Sequence, residues 1–284
     1  MNPISSESVT TFQAAGQVEL ADFARLIRRD SLEMICRARS SHIGSCFSIA
    51  EILAVLYGRI LKIDPLRPNW PDRDRFILSK GHACAALYSA LATKGFFPRS
   101  WLKQFYADGS ALPGHATRTV PGVEVSTGSL GHGLSLGCGM ALAAQQSPAP
   151  FRVFVLLSDG ECDEGSVWEA VLFAAHHRLD SLTAIVDYNK IQSLGHVSDV
   201  LDLAPFAEKW RACRWSVREI DGHNLEEIEE ALSCVAFEAG TPSCIIAHTV
   251  KGRGVSFMED RLLWHYRSPD DEEFARALAE LSAI

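Results

Sequence analysis

The chain has 284 residues, 47% of them hydrophobic and 22% charged, and its 35 acidic against 27 basic side chains give a formal net charge of −8. That length supports one large core or two modest ones, and the acidic balance excludes a general attraction to nucleic acid while leaving room for a local basic pocket around a small anion. No run of 18 uninterrupted apolar residues exists to cross a membrane. Residues 1–18 are polar, without the basic-then-apolar order of a signal peptide, and are expected to form a flexible extension.

Residues 20–37 place Leu20, Phe23, Leu26, Ile27, Met34 and Ile35 close to a 3.6 period, which predicts an amphipathic helix, and residues 49–61 continue in the same way. The stretches richest in Gly and Pro, 64–73 and 107–131, read as surface excursions. An apolar helix is expected over 134–144. Compact apolar runs follow at 151–157, 182–186, 215–220 and 244–247, each separated from the next by enough chain for a crossover helix, and a short helix closes the sequence at 271–283. Such alternation is the pattern of an α/β fold with a doubly wound parallel sheet and helices on both faces, here as one domain over 19–284. The eight cysteines are scattered without a C-x-x-C pair, mostly in apolar segments, and read as reduced core thiols of a cytoplasmic protein. His176 and His177 read as structural residues within a helix.

In an open parallel sheet, ligands gather at the carboxyl ends of the strands. The run 151–157 ends in Ser158-Asp159-Gly160-Glu161, and the next ends in Asp187-Tyr188-Asn189-Lys190-Ile191, so Asp159 and Asn189 terminate consecutive strands 30 positions apart. With neighbouring strands about 4.8 Å apart, a carboxylate and an amide oxygen so placed can share one small cation. Magnesium suits such a pair, because it takes few protein oxygens and fills its other positions with phosphate and water. Either feature alone is more often a turn or a helix cap; the pair at this interval favours the metal. Gly128-x-x-Gly131-x-Gly133 does not read as a dinucleotide fingerprint, since no strand feeds it and no acidic residue follows at the right distance.

Asp159-Gly160 with Asn189 about 30 residues on resembles the thiamine diphosphate motif that holds Mg2+ and the cofactor's diphosphate. Further blocks, in order, resemble the transketolase family: 79–83 (Ser-Lys-Gly-His-Ala), 112–115 (Leu-Pro-Gly-His), 125–133, 164–170, 221–223 (Asp-Gly-His) and 249–254, together covering residues 22–268. The resemblance implies that Asp159, Asn189 and the Ile191 carbonyl bind Mg2+. It also implies that His82, Gly128, Ser129, Leu130, Gly160, Glu161, Asn189, Lys251 and His265 hold thiamine diphosphate. His42, His115 and His265 would be the catalytic histidines around the reacting carbon and the sugar hydroxyls, a task imidazole performs by hydrogen bonding in either protonation state. Glu164 and Glu169, ordinarily solvated helix charges, would form an acidic cluster at a subunit interface.

The implied reaction is transfer of a two-carbon ketol unit from a ketose or ketose phosphate to an aldose. In transketolases the glutamate that activates the cofactor lies on a second domain, and after Trp264-His265 only the 271–283 helix remains here. The expectation is therefore a split enzyme. A C-terminal subunit would carry the pyrimidine-binding domain, the activating acid and most of the sugar-phosphate contacts, in an α2β2 heterotetramer with no nucleic-acid or membrane partner. The alternatives are a 2-oxoacid dehydrogenase or deoxyxylulose-phosphate synthase component, which would share the metal motif but not the full set of histidine blocks, and a non-catalytic cofactor-binding scaffold, which would show a broken metal motif. Four positions depart from the family: Ser158 for Gly, His132 for Gln, Asn224 for Asp and Tyr266 for Gly. Tyr266 places bulk beside His265, leaving a modified or branched sugar open as substrate.

Overall fold

In the computed structural model, which describes residues 19–283, the elements run α1 (Leu20–Ala38), α2 (Ile43–Phe47), α3 (Ala50–Val55), β1 (Arg75–Leu78), α4 (Cys84–Lys94), α5 (Gly133–Gln145), β2 (Val153–Ser158) and α6 (Gly165–His176). The second half continues with β3 (Leu182–Tyr188), α7 (Val197–Val200), α8 (Phe206–Ala212), β4 (Ser216–Asp221), α9 (Leu225–Ser233), β5 (Ser243–His248), α10 (Leu263–Tyr266) and α11 (Asp271–Ala283). The extension expected over residues 1–18 lies outside the described residues. No described helix is long and apolar enough to cross a membrane.

The five strands form one sheet in the order β1-β2-β3-β5-β4, every neighbouring pair parallel. The unbroken apolar runs are explained by burial on both faces. Along β2, Phe154 and Leu156 pack into the layer formed by α1, α3, α4 and α9, while Val153, Val155 and Leu157 pack into the layer formed by α5, α6 and α8. The edge strand β4 instead carries Arg218, Glu219 and Asp221, charges that discourage pairing with another sheet.

Several expectations change. A strand over Arg75–Leu78 joins the sheet; its four residues are too short a run to stand out from the loop before it. The helix expected over 49–61 holds α-geometry only to Val55 and widens into a π-helical turn over Leu56–Ile60. The stretch 107–131 is not a surface excursion: Leu112, Ala116 and Val120 are buried, and the Thr127 hydroxyl donates to the Leu78 carbonyl at 2.8 Å, tying the loop over the end of β1. His176 ends α6 and His177 follows it, both exposed. Five of the eight free cysteines are buried, whereas Cys36 and Cys213 are half-buried and Cys234 is exposed.

Candidate active site

Ser158 pairs with Asp187 where β2 and β3 end, so the two chains leave the sheet side by side. Asp159 is buried, its Oδ1 accepting the Gly160 N–H at 2.7 Å and its Oδ2 the Lys190 N–H at 2.5 Å. Asn189 is buried too. Its Nδ2 donates to Asp187 Oδ2 at 2.9 Å, which fixes the amide and leaves Oδ1 to accept the Ile191 N–H at 3.1 Å. The Ile191 carbonyl accepts the Lys251 ammonium at 2.6 Å.

These three residues line one cavity of about 230 Å3, together with Gly128, Leu130, Gly160, Lys80, Lys251 and the histidines His42, His82, His115 and His265. Burial, and then the like charge of Asp187, push the Asp159 carboxyl up to about 6, a cost that a shared cation relieves. The donors are a carboxylate, an amide and a carbonyl, the all-oxygen chemistry that a hard divalent ion accepts, and Lys251 already brings a positive charge against the carbonyl. Among the described residues no cluster of three or more His, Cys, Asp or Glu is arranged as a metal centre.

Two buried charges with no role evident in the sequence underlie this arrangement. Lys80 and Asp187 are each 0% exposed and meet at 2.5 Å. Asp187 also accepts the hydroxyls of Ser48, at 2.7 Å, and Thr249. Burial works to raise the Asp187 carboxyl, but Lys80 and the hydroxyl donors outweigh it and hold the group below its ordinary value. The available signal was a charged residue at or just past the end of an otherwise apolar strand. Burial, followed by the neighbouring Lys80, lowers the Lys251 ammonium to about 8.

The four histidines come from four different segments. His42 opens α2 with a left-handed φ of 75° and its N–H donates to the His265 carbonyl at 2.9 Å; His82 follows β1; His115 comes from the 107–131 loop; His265 lies on α10. Ring centroids lie 4.9 Å apart for His42–His82, 5.1 Å for His42–His265 and 6.2 Å for His42–His115. The Tyr88 hydroxyl donates to the His115 carbonyl at 2.7 Å, steadying that residue's backbone. Glycine is required at position 81, where a Cβ would stand 2.4 Å from Thr127 Oγ1 and block the loop that carries Gly128 and Leu130.

Burial first, and then neighbouring cations, lower His42 to about 4, His265 to about 3 and His82 well below its ordinary value. These rings are neutral at physiological pH, able both to donate and to accept. Because their folded values lie below the unfolded value of 6.5, the unfolded chain binds protons first as the medium is acidified. The stability they allow is complete above about pH 6.5 and is lost as pH falls through 4 and 3. Melting temperature measured from pH 8 to 4 should therefore fall below pH 6.5, and His42→Asn combined with His265→Asn should flatten that fall.

Other expected site residues lie elsewhere. Glu161 does not face the cavity. It is fully buried, accepts the Ser79 hydroxyl and the Gly131 N–H (2.8 Å), and braces the turns behind the site, with burial raising its carboxyl. Ser129 is exposed and lies outside the cavity lining, although Gly128 and Leu130 on either side are part of it. Glu164, at the start of α6, and Glu169, within it, are exposed, and the exposed apolar side chains Leu172 and Phe173 lie one helical turn beyond Glu169.

The four departures are accommodated. Ser158 Oγ accepts the Glu161 N–H at 3.3 Å, and exposed His132 turns Nδ1 to the Leu130 carbonyl at 3.0 Å. Asn224 caps α9 by accepting from the Glu226 and Glu227 N–H groups, a role Asp and Asn share. Tyr266 is not part of that cavity's lining, but it does set its bulk beside His265, with ring centroids 4.9 Å apart; it is 56% exposed and its hydroxyl donates to the Ser193 carbonyl at 2.5 Å.

The family model for the transketolase thiamine diphosphate binding domain matches residues 19–280. The chain is 45% identical over 266 residues to a 6-deoxy-6-sulfo-D-fructose transketolase subunit of Clostridium sp. strain MSTE9, covering 93% of this chain and 97% of that one. It is 40% identical over 255 residues to an apulose-4-phosphate transketolase subunit of Phocaeicola vulgatus, covering 90% and 91%. Among solved structures it is similar to transketolase from Leishmania mexicana, with a TM-score of 0.88 at 30% identity, over 94% of this chain but only 42% of that longer one.

Proposed function

The chain belongs to the transketolase family, as its thiamine diphosphate binding domain, and from that premise we propose that it is the diphosphate-binding subunit of a two-chain transketolase. Such an enzyme moves a two-carbon ketol unit from a ketose or ketose phosphate to an aldose. The observation that carries this reading is the convergence of Asp159, Asn189 and the Ile191 carbonyl with four neighbouring histidines in one cavity. Coverage of nine-tenths or more of two relatives named as transketolase subunits, against 42% of a full-length transketolase, supports the two-chain form.

In this reading Asp159, Asn189 and the Ile191 carbonyl would hold Mg2+, Gly160, His82 and Lys251 would hold the cofactor's diphosphate, and Gly128 and Leu130 would hold its pyrimidine. Bound thiamine diphosphate supplies the nucleophilic carbon that the protein lacks. The protein's share is orientation and proton movement. His42, His115 and His265 offer ring nitrogens to the sugar's carbonyl and hydroxyls, and a well-placed acid or base of this kind contributes roughly 10²- to 10⁴-fold. The partner is a C-terminal subunit with the pyrimidine-binding domain and the activating acid, assembled as α2β2. Exposed Leu172 and Phe173 on α6, one turn beyond Glu169, supply apolar surface for subunit contact. The buried free thiols support a reducing, cytoplasmic setting.

The test is reconstitution. The chain, its candidate partner and their mixture are run on size exclusion and assayed for ketol transfer with and without thiamine diphosphate and Mg2+. Activity is expected only in the mixture and only with both additions; robust transfer by the chain alone, or turnover of 2-oxoacids but not ketoses, overturns the reading.

A further inference from the structure

Arg28 of α1, Glu51 of α3 and His223 of the Asp221-Gly222-His223 turn form a buried cluster, and none of the three lines the cofactor cavity. Arg28 Nη1 and Nη2 donate to Glu51 Oε1 and Oε2, each at 2.6 Å, and Nη2 also donates to the Phe47 carbonyl at the end of α2 at 3.0 Å. Burial works to raise the Glu51 carboxyl, but Arg28 and His223 outweigh it and hold the group at about 2, so it is ionised. His223 Nδ1 stands 3.0 Å from Glu51 Oε2, and its Nε2 accepts the Val250 N–H at 2.8 Å. A backbone N–H only donates, so Nε2 carries no proton and the ring's proton sits on Nδ1, donated to Glu51. The ion pair therefore fixes which nitrogen faces Val250.

Val250 separates two residues of the site. On one side the Thr249 hydroxyl donates to Asp187; on the other the Lys251 ammonium donates to the Ile191 carbonyl at 2.6 Å and to His265 Nδ1 at 3.0 Å. The Thr249 N–H goes to the Tyr188 carbonyl at 3.3 Å and the Gly252 N–H to the Gly44 carbonyl at 3.1 Å, so of these three backbone donors only that of Val250 is held by a side chain. The whole turn is built for that bond. Asp221 Oδ1 accepts the His223 N–H at 2.8 Å, and a Cβ on Gly222 would stand 2.4 Å from Thr249 Cγ2, so only glycine lets the turn approach so closely.

We propose that His223 is a positioning residue for the cofactor site: oriented by the Glu51–Arg28 pair, it holds the Val250 amide and so places the Lys251 ammonium against the Ile191 carbonyl and His265. The inference rests on the thiamine diphosphate reading for what Lys251 serves, and deepens it. Ile191 is one of the groups assigned to Mg2+, which makes Lys251 its outer partner and His223 the support behind that partner. The same cluster anchors α2 through the Phe47 carbonyl, and α2 is the helix that His42 opens.

Two substitutions separate positioning from bulk. His223→Gln carries an amide oxygen to the place of Nε2 and keeps an acceptor for Val250, whereas His223→Asn reaches only as far as Nδ1 and keeps the donor to Glu51 alone. In the reconstituted two-chain enzyme, His223→Asn is expected to weaken Mg2+-dependent thiamine diphosphate binding by about tenfold or more, and His223→Gln to stay near wild type. In the free chain, hydrogen exchange at the Val250 amide should be slow in wild type and His223→Gln and faster in His223→Asn. Imidazole 15N NMR of the free wild-type chain, assigned by the signal that His223→Gln removes, should show the Nδ1–H form. Equal losses of affinity in the two variants, or none in His223→Asn, overturn the proposal. Should His223→Asn not fold, the other measurements still decide: an Nε2–H ring, or a Val250 amide unprotected in wild type, overturns it. A wild-type mixture that binds no thiamine diphosphate, with the tautomer and the exchange as expected, overturns the cofactor reading and the role of His223 in it.

Discussion

Asp159→Asn in the reconstituted enzyme is expected to weaken thiamine diphosphate binding at saturating Mg2+ by at least about a hundredfold, because loss of even an outer partner of a metal ligand typically costs 10–100-fold. The free chain should meanwhile melt at an unchanged or higher temperature. Burial and the neighbouring Asp187 hold the Asp159 carboxyl at about 6, against an ordinary value of 3.8. The folded chain therefore binds this proton more tightly than the unfolded one. Ionising Asp159 costs nothing below about pH 4 and its full penalty above pH 6. At pH 7.5 a neutral amide removes that penalty and still accepts from one of the two N–H groups that Asp159 now serves. Isothermal titration and thermal melts on the same preparations separate the effects. Unchanged affinity would remove Asp159 from the metal site, and a collapsed melting temperature would make it a structural carboxylate instead. Asp159→Ala should lose binding as completely, with some loss of stability from two unserved N–H groups.

Much of the sheet was legible because β2, β3 and β5 are buried on both faces and so read as apolar runs without alternation. The meeting of Asp159 and Asn189 at one end of the sheet was legible for a related reason: consecutive strands that pair place their ends together, so a spacing in sequence becomes a distance in space. The contacts that were not legible run between distant segments. Lys80 reaches Asp187 across 107 positions and Ser79 reaches Glu161 across 82, and only the strand order β1-β2-β3 brings them together. Glu161 shows the consequence. Its place beside Asp159 and Gly160 made it a cofactor contact by adjacency, but the turn after β2 points it back beneath the glycine loop. Tyr266, by contrast, does set its bulk beside His265 as adjacency in sequence suggested, with ring centroids 4.9 Å apart on α10.

Lys80→Met should be the most destabilising single change in the site, costing about 3–5 kcal/mol, because it leaves the buried Asp187 carboxylate without water and without its directly paired counter-charge. Both side chains are 0% exposed, so no solvent rearrangement can replace the lost ammonium. The remaining partners, Ser48, Thr249 and Asn189, are neutral donors that satisfy the carboxylate's lone pairs without cancelling its charge. Removing the charge as well should recover most of the loss. In Lys80→Met/Asp187→Asn the amide oxygen still accepts from Ser48 or Thr249, and the double variant is expected to regain at least half of what Lys80→Met forfeits. Denaturant unfolding of wild type, both single variants and the double variant gives the coupling energy directly. Strict additivity would show that Lys80 and Asp187 act independently. Cofactor affinity across the same four proteins supplies the link to function. Asp187 fixes which way the Asn189 amide points, so Asp187→Asn should weaken Mg2+-dependent binding even with Lys80 intact, whereas Lys80→Met/Asp187→Asn should recover stability without recovering binding.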